Sequence, residues 1–369
     1  MHEALGVNEK LTVLLARTTF SAAAIEEVGL MLQRPLDWYA VLNACIRNKT
    51  LALAWRNLKE LKLTKNVPKK IREVGAFYAA GVAQKNAALF SQFHEVSNAL
   101  KASGIRFAPL KGLVLVNEIY TMDSRQMADF DLMISKDDCR RVRHTLNSLG
   151  FVEGEYDSTS RSVRPIDRHK KVLWSLYMYN LPPFIKVLDN QYLDTVEVDF
   201  TFDIRFESKQ SAADAFLSRA SYYAPLNCDA LMPEEFLIHL CCHLYKEAKN
   251  ILWVEMEVDF NLIKFCDVRE YTMRVLPSLD LDRFVSLARQ YEVEEAIYFT
   301  FYFLSEIYQD GYERSILLRF PKVDASTLHS YGERDLGAGI SIDGGFWRRF
   351  FKTDYLPAES KKSTYSSLI

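Results

Sequence analysis

The chain has 369 residues, 49% hydrophobic and 25% charged. This is ordinary globular usage and excludes a disordered chain, a collagen-like repeat and a disulfide miniprotein; at roughly 100–200 residues per domain, two or three packed units are expected. Lys plus Arg is 46 and Asp plus Glu is 48, a formal net charge of −2, so a nucleic-acid partner, which usually selects a basic excess, is disfavoured.

The six cysteines, at 45, 139, 228, 241, 242 and 266, form no CxxC pair. Scattered thiols suit a reducing, cytoplasmic setting. The opening MHEALGVNEKLTVLLARTTF lacks the basic stretch and apolar run of a signal peptide. The most apolar run, AIYFTFYFLSEIY at 296–308, is too short for a membrane span and carries Glu306.

In chain order, residues 8–100 read as helix, with apolar residues at helical spacing in 38–61. Pro68 can start the next helix and Gly104 can end it. The pattern changes at Ile105. IRFAPLKG is short and punctuated by Pro109 and Gly112, and LVLVNEIY (113–120) reads as a helix. In MADFDLMIS (127–135), Phe130, Leu132 and Ile134 alternate with Asp129 and Asp131, which predicts a strand with one polar face. A helix over 136–150, ending at Gly150, follows.

The next regular stretch is TVEVDFTFDIRF (195–206). Val196, Val198, Phe200, Phe202 and Ile204 fall on one face, and Glu197, Asp199, Thr201 and Asp203 on the other. From Pro233 the helical period returns and runs to about residue 308. The 331–369 tail holds five of the fourteen glycines and reads as an extended appendage.

Strand residues i and i+2 point the same way, so Asp129 and Asp131 can share a hard cation such as Mg²⁺. Acidic-x-acidic pairs also arise by chance, as at Glu255/Glu257, Glu257/Asp259 and Asp280/Asp282. Only the first pair is embedded in apolar residues on a predicted sheet, where carboxylates are costly unless paired or metal-bound. Asp199, flanked by Glu197 and Asp203, would add carboxylates from a second strand. Such a set can hold two metal ions for in-line phosphoryl or nucleotidyl transfer. The alternative is an amphipathic hairpin with a solvated acidic face.

The segment PLKGLVLVNEIYTMDSRQMADFDLMI resembles the signature of the uncharacterised nucleotidyltransferase family, roughly LLKG, a helix, Y, R, then DxDLLV. That family lies in the DNA polymerase β-like nucleotidyltransferase superfamily. The match is Leu110-Lys111-Gly112, Tyr120, Arg125, Asp129, Asp131 and Leu132. The later apolar-Asp-apolar-His strand of the family aligns with Val198-Asp199-Phe200-Thr201, and PEEFLIHLCCHLYKEA and LIKFCDV resemble its C-terminal helices, with His243 and Asp267 at its histidine and aspartate. The resemblance runs from about residue 35 to 320.

It implies an α+β fold, with a polymerase β-like core of small mixed sheet and helices at 86–206. Helical regions would flank it at 1–85 and 207–330, with the tail at 331–369. It implies that Asp129, Asp131 and Asp199 bind Mg²⁺, with Mn²⁺ as an alternative, and that Asp199 is the base nearest the acceptor hydroxyl. Gly112 would let the backbone approach phosphates, and Lys111 and Arg125 would counter their charge. Gly112 also reads as a turn glycine, Lys111 as a solvated lysine, and Arg125 as a partner of Asp123 or Asp129.

Two departures stand out: the Gly-Ser of the wider superfamily is Lys111-Gly112-Leu113 here, and the histidine after the third aspartate is Thr201. The implied reaction moves a nucleoside monophosphate from an NTP to a small-molecule, peptide or protein acceptor. A catalytically degenerate nucleotide or partner binder, or a transferase using a nucleotide sugar, is the alternative. The stretch RSVRPIDRHKK (161–171) reads as a solvated basic loop or an electrostatic guide for an anionic substrate. His239 and His243 stand i,i+4 on one helix with an apolar surround; a packed or hydrogen-bonded role is favoured over metal ligation, since the glutamate of HExxH is missing.

Overall fold

The computed structural model describes residues 5–204, 211–250, 253–254, 256, 259–332, 340–341 and 345–351. The chain divides into two compact units: residues up to Ala79 together with those from Leu240 onward, and residues Ala80–His239.

The first unit is helical. Its N-terminal helices are α1 (Val7–Leu15), α2 (Ala22–Met31), α3 (Trp38–Arg47) and α4 (Leu51–Glu60). Asp37 caps α3, its carboxylate accepting the N–H groups of Tyr39 and Ala40 at 3.0 Å each. Leu11, Val28, Val41, Cys45, Leu51 and Leu58 meet in one core. In the C-terminal part a cluster of rings, Phe260, Phe265, Phe299, Phe303 and Phe350, packs mostly edge to face.

Two buried ion-pair networks stitch this unit together. Arg269 is bidentate to Asp310 at 2.5 and 2.9 Å and also pairs with Glu270. The Glu270 carboxylate in turn accepts the N–H of Thr18 at 2.9 Å and the hydroxyls of Thr18 and Thr19 at 2.6 and 2.9 Å. Arg349 pairs with Asp259 at 2.5 Å, both side chains essentially inaccessible, and lies 3.7 Å from the Phe260 ring centroid.

The stretch expected as an extended appendage thus differs in part: Phe346–Phe351 is a helix with Phe350 and Arg349 in the core. Tyr331 and Ser330 pair with Ile340–Ser341 in a short ladder; residues 333–339, 342–344 and 352–369 of that tail lie outside the described residues, as do Glu255 and Glu257. Of the other acidic pairs, Asp259 takes Arg349, Asp280 caps the helix Leu281–Gln290, and Asp282 pairs with Arg319.

The second unit carries the sheet. Its strands are β1 (Phe107–Pro109), β2 (Phe130–Ile134), β3 (Val152–Asp157), β4 (Ser162–Pro165), β5 (Phe184–Val187) and β6 (Thr195–Thr201), in the order β1-β2-β6-β5-β3-β4. Only β2 and β6 run parallel; the other pairs are antiparallel. The helix α5 (Lys69–Ala102) ends at Gly104, whose φ of 65° supplies the left-handed C-cap, with the Ile105 N–H bonding back to the Leu100 carbonyl at 3.0 Å. From Ala80 on, α5 covers the sheet: the Phe93 ring meets Phe130 edge-on at 5.9 Å.

The period-2 reading of β6 holds. Val196, Val198 and Phe200 are fully buried, while Glu197, Asp199 and Thr201 are half-buried on the other face. The strand is shorter than expected, ending at Thr201; Phe202–Ile204 are irregular and Arg205 and Phe206 lie outside the described residues. Asp203 has left the acidic face, its carboxylate accepting the Ile204 N–H at 2.7 Å and its carbonyl the Thr201 hydroxyl at 2.7 Å.

The predicted helices appear as α6 (Gly112–Glu118) and α7 (Cys139–Ser148), the latter preceded by a 3-10 turn. The segment 161–171 is not a loop but β4 and the start of the helix α8 (Arg168–Tyr177). Its basic side chains are largely matched: Lys171 pairs with Glu153 at 2.6 Å, Lys170 with Glu155 at 3.4 Å and Arg161 with Asp194 at 3.2 Å. Among the described residues no helix is long and apolar enough to cross a membrane.

Candidate active site

The site is built where β2 and β6 lie side by side. Their parallel register makes Asp131 and Asp199 direct Cα partners. In-register neighbours project to the same face of a sheet and sit about 4.8 Å apart. Asp129 stands one residue before β2, and Glu197 two residues before Asp199. Four carboxyl groups therefore share one face of two adjoining strands.

Crowding like charges at a half-buried surface raises the cost of ionising each. Asp199 is pushed well above the usual carboxylate range, by burial first, then by Asp131, Asp129 and Glu197, while Lys111 opposes the shift. Glu197 is pushed up to about 7, by burial and then by Asp129 and Asp131.

One cation answers this charge directly. The Lys111 ammonium lies 2.5 Å from Asp131 Oδ1, with 19% of its side chain exposed against 11% for the aspartate. Lys111 is thus not a solvated lysine. Its backbone is also unusual, with φ 44° and ψ −120°, a conformation ordinarily left to glycine. Such a residue is strained by about 1–3 kcal/mol and persists when its surroundings hold it. Here the Leu110 N–H bonds the Asp131 carbonyl at 3.0 Å on one side, and α6 begins on the other, with Val114 and Leu115 N–H groups bonding the Lys111 carbonyl.

Gly112 is buried at the start of α6. A Cβ there would lie 2.8 Å from Arg125 Nη1 and 2.9 Å from Met127 Cγ. The guanidinium thus lies against the Gly112 Cα, and a side chain there would displace Arg125 and Met127. Arg125 also sits 5.9 Å from the Tyr120 ring centroid. Lys111 therefore stands at one edge of the acidic face, and the Arg125 guanidinium lies against the neighbouring Gly112.

The oxygen donors that could hold a hard divalent ion are those of Asp129, Asp131 and Asp199. Their chemistry fits: all are carboxylates, mutual repulsion raises the cost of ionising Asp199, and an ammonium already stands against Asp131. Among the described residues no group of three or more His, Cys, Asp or Glu side chains is arranged to hold a metal.

Thr201 donates its hydroxyl to the backbone carbonyl of Asp203 at 2.7 Å, which ties the strand end. His243 stands 3.4 Å from Glu247 through Nε2, and Glu247 also pairs with Lys264.

Sequence reasoning missed Asn86. It is fully buried on α5 and bonds three backbone groups of the loop bearing Arg125. The available signal was a lone amide in an otherwise apolar stripe at 82, 86, 89, 93, 96 and 100. Glu197 was seen only as a flanking residue; its burial beside Asp129 and Asp131 needed the register.

Among curated proteins, none matches the chain. A family described as uncharacterised nucleotidyltransferase matches residues 34–309, three quarters of the chain and all of the strands and turns that build this face. With that match and the mixed sheet carrying the paired aspartates, the chain belongs to the uncharacterised nucleotidyltransferase family.

Proposed function

We propose that the chain is a Mg²⁺-dependent enzyme that moves a nucleoside monophosphate from an NTP to a small-molecule, peptide or protein acceptor and releases pyrophosphate. The observation that carries this reading is the parallel register of Asp131 with Asp199, which gathers carboxylates from two strands beside Lys111. Asp129, Asp131 and Asp199 would hold the metal, which when bound neutralises phosphate charge and polarises the α-phosphate.

The chain's own residues do the rest. Lys111 and Arg125 pair with the β- and γ-phosphates and draw the triphosphate along one edge of the carboxylate face. Gly112 lets the main chain approach those phosphates. Asp199 receives the acceptor hydroxyl's proton as its oxygen bonds to the α-phosphorus. The α–β P–O bond breaks, and its electron pair leaves with pyrophosphate. The nearly balanced charge of the chain favours an acceptor other than nucleic acid. A second reading, nucleotide binding without turnover, draws support from Thr201, whose hydroxyl serves the backbone.

The test uses γ-labelled NTP with fractions of a cell extract as the source of acceptor. Labelled pyrophosphate from the wild type, absent with Asp199→Asn, supports the reading. Label released only as orthophosphate would contradict it.

A further inference from the structure

From Ala80 onward α5 presents one stripe to the sheet. Val82, Asn86, Leu89, Phe93, Val96 and Leu100 recur at helical spacing, and each is 5% exposed or less. Five are apolar. A buried amide in such a stripe costs roughly 1–3 kcal/mol unless its hydrogen bonds are made.

Asn86 makes them, and all go to one loop. Its Nδ2 donates to the carbonyls of Met122 and Arg125 at 2.8 Å each, and its Oδ1 accepts the Met127 N–H at 3.2 Å. Seven residues on, along the same stripe, the Phe93 ring packs edge-on against Phe130, the first residue of β2, between Asp129 and Asp131. One helix thus grips both the strand of the aspartate pair and the loop of the guanidinium. An α-helix is stiff, and seven residues of it span about 10.5 Å.

We propose that Asn86 is a positioning residue for the nucleotide. Through the main chain of 122–127 it holds the Arg125 guanidinium over Gly112, at a set distance from Asp129 and Asp131, so that one triphosphate reaches both. This rests on the nucleotidyl-transfer reading above. Without Asn86 the loop keeps its other ties, such as the Thr121 N–H to Ser124 Oγ bond at 3.0 Å, but Arg125 loses its register with the carboxylates.

A double-mutant cycle tests it. The dissociation constant of Mg²⁺ with ATP, GTP, CTP or UTP, whichever binds the wild type, is measured calorimetrically for wild type, Asn86→Leu, Arg125→Ala and the double variant. Leucine keeps the apolar stripe; Asn86→Ala replaces it if the leucine variant does not fold. Asn86→Leu should weaken binding about tenfold in the wild-type background and less than about twofold when Arg125 is already gone. A loose fold alone would weaken both backgrounds equally, and that additive result would overturn the proposal, as would unchanged affinity in Asn86→Leu. A wild type that binds none of the four nucleotides overturns the nucleotidyl-transfer reading, and this proposal with it, before any variant is compared.

Discussion

Asp131 and Asp199 are Cα partners in the one parallel pair of the six-stranded sheet, yet only Asp131 has the Lys111 ammonium against it at 2.5 Å. The two aspartates are therefore electrostatically unequal. Asp199 is repelled by three neighbouring carboxyls, only partly offset by Lys111, and its ionisation is strongly disfavoured.

Asparagine at the two positions should accordingly act in opposite directions on the metal-free protein near neutral pH. Asp199→Asn replaces a group whose ionisation is disfavoured in the fold with one that never ionises, and should raise the melting temperature. Asp131→Asn removes the carboxylate paired with the largely buried Lys111 ammonium and should cost about 2 kcal/mol. Both should lower nucleotidyl transfer by roughly a thousandfold if the carboxylates hold the metal. Thermal melts beside a pyrophosphate-release assay check this; a destabilised Asp199→Asn would contradict it.

The Lys111 backbone gives a second comparison. Lys111→Ala and Lys111→Gly both lose the ion pair, but only glycine adopts φ 44°, ψ −120° without strain. The glycine variant should be more stable than the alanine variant by about 1 kcal/mol in urea denaturation. An alanine variant as stable as the glycine one would show that the conformation is not held under strain.

Glu197 makes stability depend on pH. Its folded pKa of about 7 exceeds its ordinary 4.5, so the folded chain holds that proton more tightly than the unfolded chain. The resulting stabilisation is complete below the unfolded value and is lost as pH rises through about 7. Asp199 shifts in the same direction. Glu197→Gln stays neutral throughout, so its stability advantage over wild type should grow from about pH 5 to pH 8, towards an upper bound of roughly 3 kcal/mol. Melts of both proteins across that range measure it, and an advantage that shrinks with rising pH would refute the assignment.

In the helical unit, Arg349 and Asp259 are buried against each other. Arg349→Met should cost about 3–5 kcal/mol by removing the guanidinium buried against the carboxylate, and Asp259→Asn added to it should recover part of that loss. Chemical denaturation of the two variants is sufficient.

Much of this architecture was legible in the sequence, for physical reasons. Strand β6 announces itself because Val196, Val198 and Phe200 are buried on one face alone, which period-2 patterning reports faithfully. The LKG, Arg125 and Asp129-x-Asp131 spacing places these groups around one turn and the start of one strand. The strands β3 to β5 were not legible: they are 4 to 6 residues long and lack clean alternation. Asp203 fits the alternation but falls past the strand end, because alternation alone does not mark where pairing stops. The pairing of Asp131 with Asp199 and the grip of Asn86 on its loop are long-range contacts that local patterns do not encode. The helix at 346–351 was hidden by its glycine-rich flank, although FWRRFF itself carries the aromatics that bury it.

The most direct test of the central claim is a thermal shift with each of the four NTPs, with and without Mg²⁺, on wild type and Asp199→Asn. A ligand bound only by the folded state raises its stability by about 2.7 kcal/mol at a hundredfold excess over its dissociation constant. The account predicts stabilisation of the wild type by at least one NTP, only with Mg²⁺ present, and none in Asp199→Asn. Wild type unmoved by every NTP, or an Asp199→Asn protein stabilised as much as wild type, would contradict it.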